Sequence, residues 1–563
     1  MRRRALIAAA AATTASACAP GLFGGATPSP AASGRDKIAQ LLASLSLEQR
    51  AGQLMSIAFH GTKITPAVEA MIRQRGAGGL VLRTENFDDA AGLRRLCDDL
   101  QRIARDAKVP PLLISIDQEG GPIVRIATGA TILPGQMALA ATPDPLAAVK
   151  AADTIAANEL LSFGINWNLA PDADVNDEPR NPIIGNRSFG SDPTRVAQLV
   201  TQAVATYRAQ QLLCIAKHFP GHGATTTDSH TGLPLISSDR ARLNAVELVP
   251  FKAAIAAGVP AIMGAHIVVP ALDPTPGLPV TLSKRVMTDL LRSELGFGGV
   301  VVSDDLEMGA LATFGEARAG LMAFAAGVDH LLFRFDESAQ TEGHRLILDA
   351  VRAGDIPLTR LEGSVSRVLG LKIAQGLYED RVHPTPDLAD DAATALDLAR
   401  RSITVLKNDG VLPLRGKVYA AAMMSADLAT IPGDSDLATE LAAGRPNVTA
   451  RRFSAAGDAF IASAVAEAKA ADVVVVGVAD TGVKDDQRAL ATALAALKPT
   501  VVVSLRSPYD ALFVPGAAAY VCAYSSRVPT LRATVEILNG ARAPVGRLPV
   551  EIPGRYPIGA GLA

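Results

Sequence analysis

Residues 212–230 read LLCIAKHFPGHGATTTDSH, and this stretch gives the first indication of the fold. Its first part, Leu212–Ala216, is apolar and predicts a buried strand. The second part, Lys217–His230, is too rich in glycine, proline and threonine for a helix or a strand. The sequence therefore predicts that three histidines, a lysine and an aspartate lie on a loop at the carboxyl end of a strand. Ligands bind at that end in α/β barrels and in open α/β sheets.

Strand-like and helix-like segments alternate on both sides of this stretch, from Lys37 to about Gln375. Apolar runs predict eight strands, which are Leu54–Phe59, Gly79–Leu82, Leu112–Asp117, Gly164–Leu169, Leu212–Lys217, Ala261–Ile267, Gly299–Asp304 and His330–Phe333. Alanine-rich helical segments separate them, among them Asp88–Ala107, Pro145–Leu161, Pro193–Gln211 and Glu316–Ala326. This pattern predicts an α/β protein with a (β/α)8 barrel, and an open doubly wound sheet would give a similar pattern.

A smaller α/β sandwich domain is predicted after the barrel. A helix over Ala392–Leu406 leads to a turn at Asn408–Gly410, and four strands follow at Val418–Met423, Asp472–Val478, Thr500–Leu505 and Ala518–Ala523. The predicted division of the chain is a signal peptide 1–18, a flexible linker 19–36, the catalytic barrel 37–378, a linker 379–395 and the sandwich domain 396–563. The second domain contains neither a G-x-G-x-x-G motif nor a P-loop, so we expect no nucleotide cofactor there.

The overall composition excludes two classes of partner. The 563 residues carry a formal net charge of -2, and no basic tract follows the first four residues, so we expect no nucleic-acid partner. No apolar run of about 18 to 20 residues is free of polar breaks, so the body of the protein is predicted to be soluble. Membrane contact is expected only through a lipid anchor.

The N-terminus has the order of a secretory signal. A charged start at Met1–Arg4 precedes an apolar segment at Ala5–Ala12, and Ala15–Cys18 closes the signal. Because it ends on cysteine, it resembles a bacterial lipoprotein signal in which Cys18 is lipidated and becomes the mature N-terminus; a plain cleaved signal is the alternative. The protein is therefore expected to be exported and anchored to the cell membrane by lipid. The other cysteines are predicted to be buried and not disulfide-bonded, namely Cys97, Cys214 and Cys522.

Polar clusters follow four of the predicted barrel strands. They are Ser115–Gly121, Asp172–Pro182 together with Gly185–Gly190, Lys217–His230 and Ser303–Met308. The carboxyl ends of all barrel strands meet at one mouth, so we expect the four clusters to converge on a single site.

Two of the polar clusters contain residues that could bind a metal ion. Zinc could use the histidines of the central stretch, but the proline and glycine between His218 and His222 prevent the helical spacing of an H-E-x-x-H site. Calcium could use the aspartates at 172–177, but the segment lacks the glycine and the glutamate of a calcium loop. The sequence therefore predicts no metal and no organic cofactor.

Acid–base chemistry fits the same residues better. Asp228 and His230 are two residues apart, so on a bent loop the carboxylate can hydrogen-bond to the imidazole, orient it and stabilise its charged form. Asp304 and Asp305 are adjacent, so in an extended strand their side chains point in opposite directions. Only one of these two aspartates can face the mouth, and the other is expected to cap a helix or pair with a cation.

Four motifs together resemble a known family. They are DQEGG at 117–121, NP…GNRSFG at 181–190, KHFPGHG…DSH at 217–230 and SDDLEM at 303–308. In this order they are similar to glycoside hydrolase family 3, and more narrowly to its bacterial β-N-acetylglucosaminidases, which act on cell-wall fragments. The resemblance covers about residues 40–375, and Ala399–Asn408 resembles the start of the second, sandwich domain of the family.

The resemblance implies a role for each matching residue. Asp304 would be the nucleophile of a retaining mechanism, and His230, oriented by Asp228, would be the acid/base. The residues expected to bind the sugar are Asp117, Arg125, Arg187, Lys217 and His218, with a structural ion pair as the alternative for Arg125. His222 and His266 are interpreted as core or loop histidines.

The expected function is that of an exo-β-N-acetylglucosaminidase that releases terminal GlcNAc from peptidoglycan fragments. One alternative is a phosphorylase, because a neutral imidazole does not repel inorganic phosphate as a carboxylate acid/base would. Another is a β-glucosidase or xylosidase with a glutamate acid from the second domain, but its glutamates lie in no glycine-rich loop. A lipoprotein that binds sugar without turnover is the alternative outside the enzymes.

Overall fold

The computed structural model describes residues 30–379, 383–424 and 435–562. Eight parallel strands form the first sheet, namely β1 Met55–Ile57, β2 Gly79–Val81, β3 Leu113–Ile116, β4 Trp167–Asn168, β5 Ile215–Phe219, β6 Ala261–Gly264, β7 Val300–Asp305 and β8 His330–Leu332. Their order in the sheet is β4-β3-β2-β1-β8-β7-β6-β5. Each strand lies at a position where the sequence predicts one, with ends that differ by a few residues.

The sheet closes into a barrel between its two outer strands. Bridges join Trp167 of β4 to Leu213 and Asp172 to Lys217 of β5, so the open doubly wound sheet is excluded. Apolar side chains fill the interior of the barrel, and Val368 and Leu371 from a C-terminal barrel helix belong to the same cluster. The interior is therefore a packed core, as expected for a barrel of eight strands.

Helices surround the barrel. They are α1 Pro30–Ser44, α2 Leu47–Gly52, α3 Pro66–Arg73, α4 Ala90–Asp106, α5 Gln136–Ala140, α6 Pro145–Ser162, α7 Pro193–Ala209, α8 Arg240–Ala245, α9 Leu248–Ala256, a π-helical segment Arg285–Glu294, α10 Glu316–Ala326, α11 Glu337–Ala353 and α12 Leu358–Ala374. Helix α4 illustrates why they form. Its N-cap, Asp89, accepts a hydrogen bond from the Gly92 N–H, and the residues buried on one face are Leu93, Leu96, Cys97, Leu100, Ile103 and Ala104.

Strand β5 differs from the prediction in a way that matters for the site. It continues to Phe219, so Lys217 and His218 lie on the strand and not on the loop that follows. Pairing of Phe219 with Gly264 on β6 extends the strand beyond the apolar run from which it was predicted. The side chains of Lys217 and His218 are consequently held by the barrel itself.

The second domain contains a six-stranded sheet of order β11-β10-β12-β13-β14-β9. Its elements are α13 Leu388–Ser402, β9 Thr404–Asn408, β10 Val418–Met423, α14 Leu437–Ala443, β11 Val448–Phe453, α15 Asp458–Ala468, β12 Val473–Val478, α16 Asp485–Leu497, β13 Thr500–Ser504, α17 Asp510–Phe513, β14 Ala519–Cys522 and α18 Val528–Leu538. Five strands are parallel, and β9 pairs antiparallel with β14. The fold is thus the predicted barrel followed by a smaller α/β sandwich domain.

Two strands of this sheet were not predicted. The predicted helix Ala392–Leu406 ends at Ser402, and β9 follows it at Thr404–Asn408. Strand β11 was missed because its sequence, VTARRF, is largely polar and lies at the exposed edge of the sheet.

Two helices begin inside segments that the sequence predicts to be linkers. Helix α1 begins at Pro30, inside the predicted linker 19–36, and its Ile38, Leu41 and Leu42 pack against the barrel core. Helix α13 begins at Leu388, inside the predicted linker 379–395. Both helices begin earlier than predicted because tertiary packing stabilises segments whose local sequence resembles a linker.

Other predictions concern the termini and the cysteines. Cys18 and the predicted signal lie outside the described residues. Among the helices of the part that the structure describes, none is both long enough and apolar enough to span a membrane. Three cysteines are buried and free, as predicted, namely Cys97, Cys214 and Cys522.

The two domains are joined by buried hydrogen bonds to loops at the barrel mouth. The hydroxyl of Tyr509 donates to the carbonyl of Asn176 at 2.9 Å. The side-chain amide of Asn186 donates to the carbonyl of Tyr524 at 2.7 Å. These bonds attach the second domain to the segment that follows β4, which also contains Arg187.

Candidate active site

A pocket lies at the carboxyl ends of the barrel strands, where the sequence predicts the four polar clusters to converge. Seven of the eight predicted side chains near this mouth line it, namely Asp117, Arg125, Arg187, Lys217, His218, His230 and Asp304. The eighth, Asp228, contacts the imidazole of His230. The barrel therefore brings together residues that are up to 187 positions apart in the chain, from Asp117 to Asp304.

One wall of the pocket is a buried network of alternating charges. The ammonium group of Lys217 lies 3.1 Å from Oδ1 of Asp117 and 2.6 Å from Oε1 of Glu119. Glu119 also accepts two hydrogen bonds, each of 2.9 Å, from the guanidinium group of Arg187. Burial alone would raise the pKa of Glu119, but Arg187 and Lys217 lower that pKa to about 2. All four side chains are therefore charged at neutral pH.

The network continues to Asp174 through two buried groups. The Arg187 guanidinium lies 3.3 Å from Asp172, and its Nη2 is 3.4 Å from Nε2 of His218. Nδ1 of His218 donates to Oδ2 of Asp174 at 2.8 Å. Burial lowers the pKa of His218, but the Asp174 carboxylate outweighs that effect and raises it.

Three of these groups could in principle hold a metal ion. The ligand atoms of Asp172, Asp174 and His218 all lie within 4.8 Å of one another. However, Asp172 already pairs with Arg187, and Asp174 accepts hydrogen bonds from His218 and from the backbone N–H of His222. The donor set is therefore committed to internal ion pairs, so it fits a divalent cation poorly.

Asp304 and Asp305 both line the pocket, so the prediction that only one of them can face the mouth is wrong. Asp305 pairs with Arg83 at 3.0 Å and with Arg334 at 3.3 Å, which confirms that one of the two aspartates binds cations. Asp304 lines the pocket and is partly exposed to it. Burial raises the pKa of Asp304, but His218 and other nearby imidazoles lower it further, so the carboxylate is charged and able to act as a nucleophile.

Asp228 and His230 form the predicted pair on the loop after β5. Nδ1 of His230 donates to Oδ1 of Asp228 at 2.8 Å, and the backbone N–H of His230 donates to the same oxygen, also at 2.8 Å. Burial raises the pKa of Asp228, but the hydrogen bonds from His230 lower it, so this side chain is an acceptor. Because Nδ1 is occupied, Nε2 is the nitrogen that can exchange a proton with a ligand in the pocket.

Sequence reasoning missed several residues of the charge network. Arg187 contacts Glu119 and Asp172, and no contact with Asp117 is seen among the described residues. Arg125 lies 3.8 Å from Asp117, so it belongs both to the pocket lining and to an ion pair. The missed residues are Arg83, Glu119, Asp172 and Asp174; the last three lie within the polar clusters, but only long-range pairing shows their partners.

The two histidines interpreted as core or loop residues are buried close to the site. His266 contacts Thr281 Oγ1 at 3.0 Å and the carbonyl of Asp305 at 3.1 Å. Nε2 of His222 lies 3.0 Å from Oγ of Ser229, between the two members of the Asp228–His230 pair. His266 supports the β7 end, whereas His222 contacts the loop that carries His230.

A larger cavity of about 910 Å³ lies at the other end of the barrel. Residues from α1, α4 and the end of α12 and its following turn line it, among them Leu41, Cys97, Gln101 and Leu377. It is distant from the convergent charged side chains, and barrel enzymes place their chemistry at the carboxyl ends of the strands. The pocket that contains Asp304 is therefore the candidate active site.

Comparison with known proteins supports this assignment. Residues 45–371 match the Glycosyl hydrolase family 3 N terminal domain, and residues 403–557 match the Glycosyl hydrolase family 3 C-terminal domain. Beta-hexosaminidase A of Pseudoalteromonas piscicida is 33% identical over 552 residues, which cover 87% of this chain and 92% of that protein. A beta-N-acetylglucosaminidase/beta-glucosidase of Cellulomonas fimi is 34% identical over 399 residues, 68% of each chain.

A solved structure is similar over almost the whole chain. It is a glycoside hydrolase family 3 beta-N-acetylglucosaminidase from Paenibacillus sp. str. FPU-7, with a TM-score of 0.86 and 34% sequence identity. The similarity covers 90% of this chain and 99% of the Paenibacillus chain. The likeness therefore extends through both domains.

Proposed function

The chain belongs to glycoside hydrolase family 3, and we propose that it is an exo-β-N-acetylglucosaminidase that releases terminal GlcNAc from peptidoglycan fragments. One observation carries this proposal. A charged, partly exposed Asp304 and the Asp228–His230 pair meet at one pocket, which is also lined by a buried network of charges. The names of the relatives support GlcNAc as the sugar.

In the first step of the proposed mechanism, a carboxylate oxygen of Asp304 attacks the anomeric carbon. Nε2–H of His230 protonates the departing glycosidic oxygen as the bond between that oxygen and the anomeric carbon breaks. Asp228 stays ionised and holds the ring by its Nδ1–H, so the proton leaves from the nitrogen that faces the pocket. The products of this step are the free aglycone and a glycosyl ester of Asp304.

In the second step, the neutral Nε2 of His230 accepts a proton from water. The water oxygen attacks the anomeric carbon, and the ester bond to Asp304 breaks. Two successive inversions retain the configuration of the sugar. His230 returns to its protonated form and Asp304 to its carboxylate, which completes the cycle.

The charge network is suited to binding the hydroxyl groups of a sugar. Lys217 and Arg187 present fixed donors, and Asp117 presents an acceptor, all lining the same pocket. Because each ion is paired with another, the side chains are held in one geometry before the substrate binds. Such prior ordering lowers the entropic cost of binding.

The position of the only tryptophan supports action at the end of a sugar chain. The single tryptophan, Trp167, is buried in the barrel, so it cannot serve as a surface platform for a long polysaccharide. Cell-wall fragments are the proposed source of terminal GlcNAc because the four motifs resemble the cell-wall subgroup and the N-terminal sequence resembles an export signal.

We further propose that the protein is exported and attached to the cell membrane by a lipid on Cys18. The signal-like residues Met1–Cys18 support this location. In the native host, Cys18→Ala should move the protein from the membrane fraction to the soluble fraction and abolish labelling by a radioactive fatty acid. Unchanged fractionation together with an unlabelled wild-type protein would show that Cys18 is not lipidated.

Turnover of 4-nitrophenyl β-N-acetylglucosaminide by the purified protein tests the enzymatic proposal. The sugar product should be free GlcNAc, with or without inorganic phosphate, and the matching β-glucoside should be cleaved much more slowly. Formation of GlcNAc-1-phosphate would instead identify a phosphorylase, and binding without turnover would identify a sugar-binding protein. Release of GlcNAc from purified muropeptides, followed by mass spectrometry, then tests the natural substrate class.

A further inference from the structure

The loop that carries Asp228 and His230 is attached to the loop that follows the proposed nucleophile. The N–H of Gly309 donates to the carbonyl of His230 at 3.2 Å, and the N–H of Ala310 donates to the carbonyl of Ser229 at 3.1 Å. Gly309 and Ala310 begin a short 3-10 helix, Gly309–Leu311, four residues after β7 ends at Asp305. Backbone hydrogen bonds thus link the loop that carries His230 to the segment that follows β7, the strand that carries Asp304.

Gly309 permits this contact because it has no side chain. A Cβ atom at this position would lie 2.5 Å from the carbonyl oxygen of His230 and 3.1 Å from its carbonyl carbon. These are backbone atoms, so the clash could be relieved only by moving the chain at His230 or at Gly309. Any larger residue at 309 would therefore disturb the contact between this segment and the His230 backbone.

A side-chain contact of Ser229 attaches the same loop at a second point. Oγ of Ser229 lies 3.0 Å from Nε2 of His222, and both side chains are buried. His222 is itself fixed, since its backbone N–H donates to Asp174 at 2.6 Å. Burial lowers the pKa of His222 to about 4, so the ring is neutral at neutral pH and can accept the Ser229 hydroxyl proton.

Among the described residues, few contacts hold the side chain of His230. It is 51% exposed, and its one ring contact seen there is with Asp228, which lies on the same loop and is itself 30% exposed. The Asp228 contact sets the orientation of the ring within the loop, but it cannot set the position of the loop relative to β7. Only contacts between the loop and the rest of the barrel can do that.

We propose that His222, Ser229 and Gly309 are positioning residues that hold the acid/base His230 at a fixed position relative to Asp304. The inference rests on the proposed function of that pair. Ser229 attaches the loop to the buried side chain of His222, and Gly309 allows the loop to pack on the segment after β7. Catalysis by a proton donor requires hydrogen-bond reach to the departing oxygen, so a small displacement of His230 is enough to impair it.

The expected defect is specific to proton transfer. Gly309→Ala and Ser229→Ala should lower kcat/KM by about 10- to 100-fold for aglycones that leave poorly, since proton transfer typically contributes 10²- to 10⁴-fold. The loss should be much smaller for 2,4-dinitrophenyl β-N-acetylglucosaminide, whose leaving group needs no proton.

Acceleration of turnover by azide provides a second test, because general structural damage would not produce it. Azide attacks the anomeric carbon of the glycosyl-enzyme without needing a base, a C–N bond forms, and the ester bond to Asp304 breaks. With the dinitrophenyl substrate, azide should accelerate turnover of both variants and yield the β-glycosyl azide. Wild-type turnover should be nearly insensitive to azide because its base is correctly placed.

Two matched controls separate positioning from folding. Gly298→Ala makes the same change near the opposite end of β7, where a Cβ atom would meet no neighbour within 4 Å. Thr226→Ala removes an exposed hydroxyl from the same loop as Ser229. Both controls should keep wild-type rates, wild-type leaving-group dependence and insensitivity to azide. Equal losses for all aglycones in Gly309→Ala and Ser229→Ala, without azide acceleration, would overturn the proposal, as would unchanged rates.

Hydrogen exchange of the full chain tests the attachment independently of activity. The amides of Gly309 and Ala310 should exchange at least 10-fold faster in Ser229→Ala than in the wild type or in Thr226→Ala. Equal protection in all three proteins would overturn the proposed role of Ser229 even if the wild type proved to cleave no GlcNAc substrate. Failure of the wild type to release GlcNAc would instead contradict the proposed function.

Discussion

The ammonium group of Lys217 lies 2.6 Å from a carboxylate oxygen of Glu119, and both side chains are almost completely buried. Lys217 is on β5, and Glu119 follows β3, so the contact links two strands that lie on either side of β4. Removing one ion from a buried pair leaves the other without compensation, which costs far more than an exposed ion pair is worth. This part of the pocket wall therefore depends on both residues.

Glu119→Gln should lower the free energy of unfolding by about 3 kcal/mol, because Lys217 and Arg187 lose a shared counter-charge. It should also raise KM for the aryl glycoside. Urea unfolding and steady-state kinetics measure the two effects. The double variant Lys217→Met/Glu119→Gln should be less destabilised than the sum of the two single variants, and strict additivity would contradict a coupled pair.

Asp304→Asn should reduce kcat by at least about 10³-fold, since the proposed nucleophile is lost. Asp305→Asn is the matched comparison, because it makes the same change on the adjacent residue, which pairs with Arg83 and Arg334. Its loss should be smaller by about 10-fold or more. With an activated substrate, azide should restore turnover by Asp304→Ala and yield the α-glycosyl azide; a comparable loss in both Asn variants would count against Asp304 as the nucleophile.

His230→Ala should slow cleavage of poor leaving groups by about 10²- to 10⁴-fold and spare good ones. Asp228→Asn should show the same selectivity with a smaller loss, because the ring would keep its position but lose the carboxylate that stabilises its charged form. A series of aryl glycosides with leaving groups of different pKa measures the dependence. A loss that does not vary with the leaving group would argue that His230 only binds the substrate.

Tyr509→Phe should show that the second domain influences the site. The substitution leaves the buried carbonyl of Asn176 without its donor, so the free energy of unfolding should fall by about 1 to 3 kcal/mol. Tyr520→Phe is the control, since that hydroxyl donates to Val514 within the second domain. Urea unfolding should show that both variants are destabilised. Steady-state kinetics should show a several-fold increase in KM for Tyr509→Phe only.

Stability should fall on acidification through the buried His330, which contacts Ser56 Oγ at 2.7 Å. Burial lowers the pKa of His330 to about 3, whereas an unfolded histidine has a pKa of about 6.5. The unfolded chain therefore binds the proton first, and stability present above pH 6.5 is lost as the pH falls toward 3. The contribution is roughly 2 kcal/mol between pH 7 and pH 5.

Urea unfolding of the wild type and of His330→Gln at pH 7 and pH 5 checks the sign. The variant should lose less stability on acidification than the wild type, even though it is less stable at pH 7. If the two proteins respond equally to pH, then His330 does not contribute through its protonation.

The sequence could predict most of the barrel because its strands are short apolar runs between polar breaks. Val300–Asp305, for example, has an apolar start and a polar end that is visible without any long-range information. Strand β11 was missed for the converse reason: its residues are polar, and it is a strand because it pairs along the whole length of β10. Pairing with a distant strand leaves no local signal in such a sequence.

The contacts of the candidate site also fall into two groups, those that could be predicted from neighbouring residues and those that could not. Asp228 and His230 are neighbours on one loop, so their contact could be predicted locally, and so could a cation partner for one of the adjacent aspartates Asp304 and Asp305. The partners of Glu119 could not, since Arg187 and Lys217 lie 68 and 98 residues away in the chain. The same holds for the contact of His230 with Gly309.

By itself, the sequence determined the α/β class, the alternation of strands and helices, the family motifs and the residues with reactive side chains. It could do so because these properties depend on the composition and spacing of residues close together in the chain. Only the tertiary structure decided that the sheet closes between β4 and β5, that His218 and Phe219 lie on a strand, and which charged side chains pair with one another. Those properties depend on which distant segments are brought into contact, because the energies of burial, ion pairing and backbone pairing are set by that contact.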